Sequence, residues 1–278
     1  MAVRVFGASP GTGTVFVRAD LQGRPAIPVR WDRTGSLALC TTLRGAGEAE
    51  VGTVEHLLAA MSAVGLWDAI VEVDGPEVPI LDGSAWPFLA GLQRAGRMAW
   101  RCGQRRVRII RPVEVTDGGK SARFEPHDGF AVSVEIDFPH AAIGRSSFSA
   151  EICAGSFGRL LARARTFALL SDVERLRAGG LARGGSLANA VVVGAEGVLN
   201  PEGLRFADEF VRHKALDVVG DLALLGAPLL GRYTGSKPGH ALTNALLRTL
   251  MADRTAWEWV PGAAGREAAS HRQVAVAE

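Results

Sequence analysis

The sequence predicts an α+β protein of two similar layers, and three observations carry that prediction. Each half of the 278-residue chain reads as strands followed by helices, not as alternating β-α-β units. A polar stretch without periodicity, Arg101 to Arg106, separates the halves. One long segment, Leu204 to Gly226, has helical spacing and is apolar on two faces, as a helix buried on both sides must be.

From the N-terminus, Val3–Phe6, Thr14–Val17 and Leu37–Leu43 are expected as strands. Thr53 is placed to cap a helix through VEHLLAAMSAV that stops at Gly65. Ala69–Val73 is a strand, GPEVPILDGS a loop broken by Gly and Pro, and a second helix runs from Ser84 to Ala95, stopped by Gly96. The boundary falls at 103/104, giving a first α+β domain over 1–103 and a second over 104–262. In the second, Val107–Val115, Ser121–Pro126 and Phe130–Phe138 are strands joined by turns at DGGK and HDG, and Ser147–Ile152 adds another. Helices over Ser156–Ala164 and Asp172–Arg177 follow, then a strand at Ala190–Val193 and the long helix. A strand at Leu229–Thr234 and a helix over His240–Ala252 close the fold. Residues 263–278 are polar and rich in small side chains, and are expected as a mobile tail. The halves share a plan, with no repeat at the level of residues.

Composition narrows the function. At 47% hydrophobic residues the chain is of the globular class. No apolar run is long enough to cross a bilayer, and the N-terminus lacks the basic-then-apolar plan of a secretion signal. A net charge of +2 gives no footprint for nucleic acid. Cys40, Cys102 and Cys153 are odd in number and widely spaced, with no C-x-x-C pair. That argues against a disulfide framework or a zinc ribbon, and for a reducing compartment such as the cytoplasm. Lysine occurs only at Lys120, Lys214 and Lys237; the last two lie beside His213 and just before His240. A compact ammonium there offers a point charge that a guanidinium does not mimic.

The long helix carries His213, Asp217 and Asp221 at successive four-residue steps, on one strip that also bears Phe206, Phe210 and Leu224. Val211, Ala215, Val218, Leu222 and Leu225 form the opposite strip. Charges buried there need partners, and a divalent cation is the simplest. A lone buried histidine is more often a hydrogen-bonded core residue, so the strip alone leaves both readings open. A catalytic zinc takes three protein ligands and keeps one open position. His56, His213 and Asp217 would supply them, with Glu55 adjacent as general base. Asp221 is placed to hydrogen-bond a histidine and keep it cationic, and His240, opening the last helix, is the candidate.

Six short motifs then carry a resemblance over about Val3 to Val260: Val54-Glu55-His56-Leu57, Glu77 to Ser84, Arg163-Ala164-Arg165-Thr166-Phe167, Gly184-Gly185-Ser186, Leu204 to Lys214, and Gly239-His240-Ala241-Leu242. In order and spacing they resemble the zinc-dependent UDP-3-O-acyl-N-acetylglucosamine deacetylases, which catalyse the committed step of lipid A synthesis in Gram-negative bacteria. The resemblance implies two stacked β-α-α-β layers with the active site between them. It makes His56, His213 and Asp217 the Zn2+ ligands and Glu55 the base toward the zinc-bound water. Thr166 becomes an oxyanion donor, Lys214 a nearby positive charge, and His240, oriented by Asp221, the acid for the sugar amine. Phe167 and Phe138 would touch substrate, Phe138 at the uridine. Residues 172–199 correspond to a βαβ insert lining a tunnel for the acyl chain. The implied partner is an acylated UDP-sugar, met by a monomer in the cytoplasm with room for transient association with the inner membrane.

Two departures stand out. Relatives usually begin with one more strand and a Gly-Leu-His-Ser-Gly-like turn ahead of the segment matching Val3–Leu21. Either the start lies upstream, or the first layer lacks an edge strand and exposes a sheet edge. Glu125 also stands where the family commonly has a lysine near the diphosphate; a carboxylate there repels phosphate, so nucleotide affinity is either reduced or met by other groups such as Arg123. The alternative reading is a catalytically weakened paralogue that binds zinc or a nucleotide sugar without efficient turnover. A structural protein with satisfied core histidines is the third. The intact Glu55, Thr166, Lys214, Asp221 and His240 speak against the paralogue, and metal analysis of the purified protein discriminates the structural reading.

Overall fold

A computed structural model describes residues 1–96, 103–182, 184–262 and 274–276. The first half forms β1 (Val3–Gly7), β2 (Thr14–Arg18), β3 (Ala26–Pro28), β4 (Leu43–Arg44), β5 (Glu50–Val51), α1 (Glu55–Ala63), β6 (Ala69–Val73) and α2 (Trp86–Ala95). The second forms β7 (Arg106–Ile109), β8 (Val113–Asp117), β9 (Lys120–Glu125), β10 (Phe130–Asp137), β11 (Arg145–Glu151) and α3 (Ala154–Leu160). It continues with β12 (Phe167–Leu169), α4 (Leu170–Ala178), β13 (Val191–Gly194), β14 (Gly197–Val198) and α5 (Glu209–Leu222), which runs into a 3-10 turn at Ala223–Leu225. The last elements are β15 (Leu229–Ser236), α6 (His240–Ala252), β16 (Trp257–Val260) and β17 (Val274–Val276). The fold is mixed α/β, with open sheets and six helices among the described residues. No helix there is long and apolar enough to cross a membrane.

One sheet has the order β17-β1-β6-β2-β3; the larger one runs β11-β10-β15-β7-β16, with β8 and β9 attached through β15. Alternation sets which side of each strand is buried. Val5 pairs with Val71 and Val71 with Phe16, so these three buried side chains form one row across the first sheet. In the second sheet Tyr233 lies opposite Val132 and Phe124, all buried, and the Phe124 ring meets Tyr233 edge-on at 6.0 Å. α1 packs on α2 and on α5, α5 on α6 and β10, and α6 on β8 and β9. Buried residues of both halves, Phe16, Leu57 and Phe88 with Phe124, Leu216 and Tyr233, belong to one contiguous core.

Several boundaries differ from expectation, each for a local reason. Only Leu43 of the expected strand Leu37–Leu43 is in a ladder, and Leu39 is 61% exposed. The segment instead folds as a loop whose Thr41 N–H is taken by the Glu55 carboxylate. Thr53 does not cap α1: its φ is 58° and Val54 is the capping residue, without a side-chain bond. The strand expected over Val107–Val115 is two strands, β7 and β8. Pro112 follows the break, and the N–H groups of Ile110 and Arg111 both turn aside to the Ala256 carbonyl. The long helix begins at Glu209 rather than Leu204, because the Arg205 N–H is bound by the Glu209 side chain at 2.6 Å. Phe206 therefore precedes the helix. Within the expected mobile tail, Val274–Val276 is a strand paired antiparallel with β1, so on that side β17 is the outer strand of the sheet. The expected boundary at 103/104 directly follows residues 97–102, which lie outside the described residues, as do 263–273 and 277–278.

Candidate active site

The site is made where α5 crosses the start of α1. Gly220 allows the approach: a Cβ there would lie 2.1 Å from the Glu55 carbonyl oxygen and 2.9 Å from its Cα. Glu55 and His56 at the head of α1 thereby face His213, Asp217 and Asp221, which the four-residue spacing places on one side of α5. All five are buried. His213 Nε2 is 3.3 Å and His56 Nε2 3.6 Å from Asp217 Oδ1, and the imidazoles meet edge to face at 5.0 Å.

These residues fit a metal. Two ligand atoms each about 2.0–2.1 Å from one tetrahedral ion stand about 3.4 Å apart, and the two Nε2–Oδ1 separations bracket that figure. His213 Nδ1–H donates to the Ala164 carbonyl at 3.1 Å, which fixes the tautomer and leaves Nε2 with its lone pair facing Asp217. Burial pushes the His213 imidazole down to about 4, so it stays neutral and able to ligate. Burial works against the Asp217 carboxylate, but its contacts with His213 and with the Lys214 ammonium outweigh it and hold the group well below its usual range. Lys214 Nζ donates to Asp217 Oδ2 at 2.7 Å; that pairing overcomes burial and raises the ammonium.

A second cluster adjoins the first. His240, at the first position of α6, donates from Nδ1 to Asp221 at 2.8 Å from Oδ2 and 3.1 Å from Oδ1. Burial opposes the cationic form, yet the Asp221 carboxylate prevails and lifts His240 to about 9. Glu55 is shifted upward, mainly by burial, with His240 and His56 pulling the other way. The arrangement thus offers a carboxylate of enhanced basicity and an imidazolium of weakened acidity beside three side chains that could hold a metal ion.

The third wall is the segment from Ala164 to Phe167. Arg165 and Glu209 form a buried ion pair: Glu209 Oε1 accepts from both the N–H and the Nε of Arg165 at 2.9 Å, and Arg165 also reaches Glu202 and the Gly203 carbonyl. This ties the segment to the first turn of α5. Thr166 follows, half-buried, its N–H donating to the Gly83 carbonyl and its own carbonyl accepting from Val191. Gly83, at φ +81°, cannot carry a side chain, because its Cβ would stand 2.1 Å from the Asn189 carbonyl oxygen. Phe167 packs edge-on against Phe210 at 4.9 Å, Phe138 at 5.6 Å and His213 at 6.3 Å. β12, α4 and β13 form a parallel crossover, so the βαβ unit begins at Phe167, not at Asp172.

The structure therefore brings His56, His213, Asp217, Glu55, Asp221, His240 and Lys214 together, with Phe167 and Phe138 along one wall and Thr166 beside them. Arg123 is bound by Glu114 at 3.0 Å and Glu125 at 3.2 Å, so its charge is already matched. Sequence reasoning missed Thr41, the Arg165–Glu209 pair and Gly220. The short-range signals for the pair were a buried-looking Arg in RARTF and Glu209 at the head of an otherwise apolar helix. Thr41 and Gly220 had none.

Comparison with known proteins gives the family. The family described as UDP-3-O-acyl N-acetylglycosamine deacetylase matches residues 1–252. The chain is 49% identical over 246 residues to the UDP-3-O-acyl-N-acetylglucosamine deacetylase of Anaeromyxobacter sp., covering 88% of this chain and 80% of that protein. It is 49% identical over 255 residues to the protein of the same name from Methylococcus capsulatus, covering 91% and 84% of the two chains. The Neisseria gonorrhoeae protein of that name is 43% identical over 264 residues, covering 94% of this chain and 86% of its own.

Proposed function

The chain belongs to the UDP-3-O-acyl-N-acetylglucosamine deacetylase family, and from that premise we propose that the His56–His213–Asp217 centre holds a zinc ion and is where the amide is cleaved. The protein is an amide hydrolase that removes acetate from an acylated UDP-N-acetylglucosamine, the committed step of lipid A synthesis. The carrying observation is the meeting of His56 from α1 with His213 and Asp217 from α5, beside the Asp221–His240 pair. The two large sheets are read as outer layers, with α1, α2, α5 and α6 between them, as domains over 1–103 and 104–262 of a cytoplasmic monomer.

Zinc at this centre would polarise the amide carbonyl and lower the pKa of a water to about 7. The remaining chemistry falls to the chain's own groups. Glu55, with Oε2 held by the Thr41 N–H at 3.0 Å, takes the proton of the attacking water. Its burial favours this, because a carboxylate short of solvent is a stronger base. The Thr166 hydroxyl donates to the carbonyl oxygen as negative charge gathers there, and the Lys214 ammonium adds positive charge. His240 keeps its proton to about pH 9 and delivers it from Nε2 to the departing amine nitrogen, which otherwise leaves poorly. Phe167 and Phe138 hold the substrate's apolar and ring surfaces, and the crossover starting at Phe167 lies alongside the acyl chain.

The test is acetate release from acylated UDP-N-acetylglucosamine by the purified chain, compared with its His56→Ala and Asp217→Ala variants. Release by the wild type and its loss in both variants is expected. Undiminished release from either variant would place the reaction elsewhere.

A further inference from the structure

Thr41 lies in the loop before β4, is 1% exposed, and joins the two helices that build the site. Its carbonyl accepts from the Val54 N–H at the head of α1 at 3.3 Å. Its own N–H donates to Glu55 Oε2 at 3.0 Å. Its hydroxyl donates to Asp221 Oδ1, on α5, at 2.6 Å. Asp221 is an acceptor only, and its other oxygen, Oδ2, is the nearer one to His240 Nδ1. One residue therefore contacts both the base and the carboxylate standing behind the acid.

We infer that Thr41 is a positioning residue for proton transfer: its hydroxyl fixes the rotation of the Asp221 carboxylate, and with it the direction of the His240 imidazole. The inference rests on the roles proposed above for Glu55 and His240. A carboxylate with donors on both oxygens has one favoured rotation. With the Thr41 hydroxyl gone, both oxygens are free for the His240 N–H, which already lies within reach of each at 2.8 and 3.1 Å. The carboxylate then rocks, and the Nε2 proton swings away from the leaving nitrogen. The short distance of the Thr41–Asp221 bond is that of a hydroxyl donating to a charged oxygen, a stronger class of hydrogen bond. β-Branching limits χ1 of Thr41, so the hydroxyl is aimed before substrate arrives. The charged groups around His240 are Asp221, Glu55 and Asp217, and Lys214 is paired with Asp217. None of these fixes Asp221 in place of Thr41.

Thr41→Val keeps the shape and the backbone N–H to Glu55 while deleting only the hydroxyl. In the full-length, zinc-loaded protein, kcat should fall about tenfold or more with KM and zinc content unchanged. Thr41→Ser should restore kcat to within about threefold of wild type. In proton NMR the downfield His240 Nδ1–H signal, identified by its loss in His240→Gln, should move or broaden in Thr41→Val and return in Thr41→Ser. Thr42→Val, which alters a neighbouring hydroxyl near Cys40, serves as a control with wild-type kcat. If His240→Ala retains full turnover, the role of His240 is wrong and Thr41 falls with it. If His240→Ala is inactive while Thr41→Val keeps wild-type kcat and an unmoved signal, only the role of Thr41 is overturned. Should Thr41→Val fail to fold, Thr41→Ala takes its place under the same two outcomes.

Discussion

Replacing Gly220 by alanine sets two effects of opposite sign against each other. In the interior of α5, alanine is favoured over glycine by about 0.8–1.0 kcal/mol. Against this, the new Cβ would stand 2.1 Å from the Glu55 carbonyl oxygen, 2.7 Å from its carbon and 2.9 Å from its Cα. A carbon and a carbonyl oxygen rest at about 3.3 Å or more, so α1 and α5 must part by about 1 Å. Every opposing atom is backbone, and no side-chain rotation can relieve the overlap. Overpacking in a filled interior costs about 1–3 kcal/mol, and a clash between two helix backbones belongs at the upper end. The net expectation is a loss of about 2 kcal/mol, or roughly 4–8 °C in Tm for a chain of this size. Turnover should suffer more. Glu55 and His56 move with α1 while Asp217 and Asp221 move with α5, and a displacement of about 1 Å at a reacting centre costs about 100-fold. Thermal melting, kcat on the acylated UDP-sugar and zinc affinity would be measured on the same preparation. An alanine variant that melts higher than wild type and turns over at the wild-type rate would refute the claim that Gly220 exists for this contact.

Other consequences follow from the same geometry. Glu55→Gln should lower kcat by about 10²- to 10⁴-fold and flatten the acid limb of the pH profile; a residual rate within threefold of wild type would contradict its role. His240 is raised by Asp221 from its ordinary 6.5 to about 9, so its contribution to stability is complete below 6.5 and fades as pH rises through about 9. Turnover needing the protonated imidazole should decline over the same alkaline range, and Asp221→Asn should shift that decline to lower pH in kcat/KM profiles. Arg165→Met leaves the 0%-exposed Glu209 without its partner and should cost about 3–5 kcal/mol in urea unfolding; a loss under about 1 kcal/mol would show the pair to be dispensable. Dialysis against a chelator should abolish turnover, with zinc restoring it, and turnover that survives removal of the metal would exclude the centre as described.

Much of this was legible in the sequence where the signal was local. α6 spans His240–Ala252 as its periodicity predicts, β6 matches its alternating pattern, and the four-residue steps along α5 place His213, Asp217 and Asp221 together. Misreadings arose where a distant partner decides the local conformation. Leu37–Leu43 has strand-like text, yet Thr41 gives its N–H and O–H to Glu55 and Asp221 instead of to a neighbouring strand. Leu204–Asp208 continues the helical pattern, yet the Glu209 carboxylate captures the Arg205 N–H and starts the helix there. Thr53 looks like a cap, but its positive φ turns the chain instead of opening α1. The pairing of His56 with α5 is invisible to any window, since it depends on a helix crossing that Gly220 permits. The three-ligand need of a catalytic zinc pointed to His56 as the companion of His213 and Asp217, and the family resemblance implied the same set.

Native mass spectrometry of the purified chain, scored for bound metal alongside acetate release, bears most directly on the joint role of α1 and α5. About one zinc per chain is predicted, displaced together with turnover by His56→Ala or His213→Ala. Full acetate release from a chain carrying no metal, or zinc retained at unchanged affinity after His56 is removed, would contradict it.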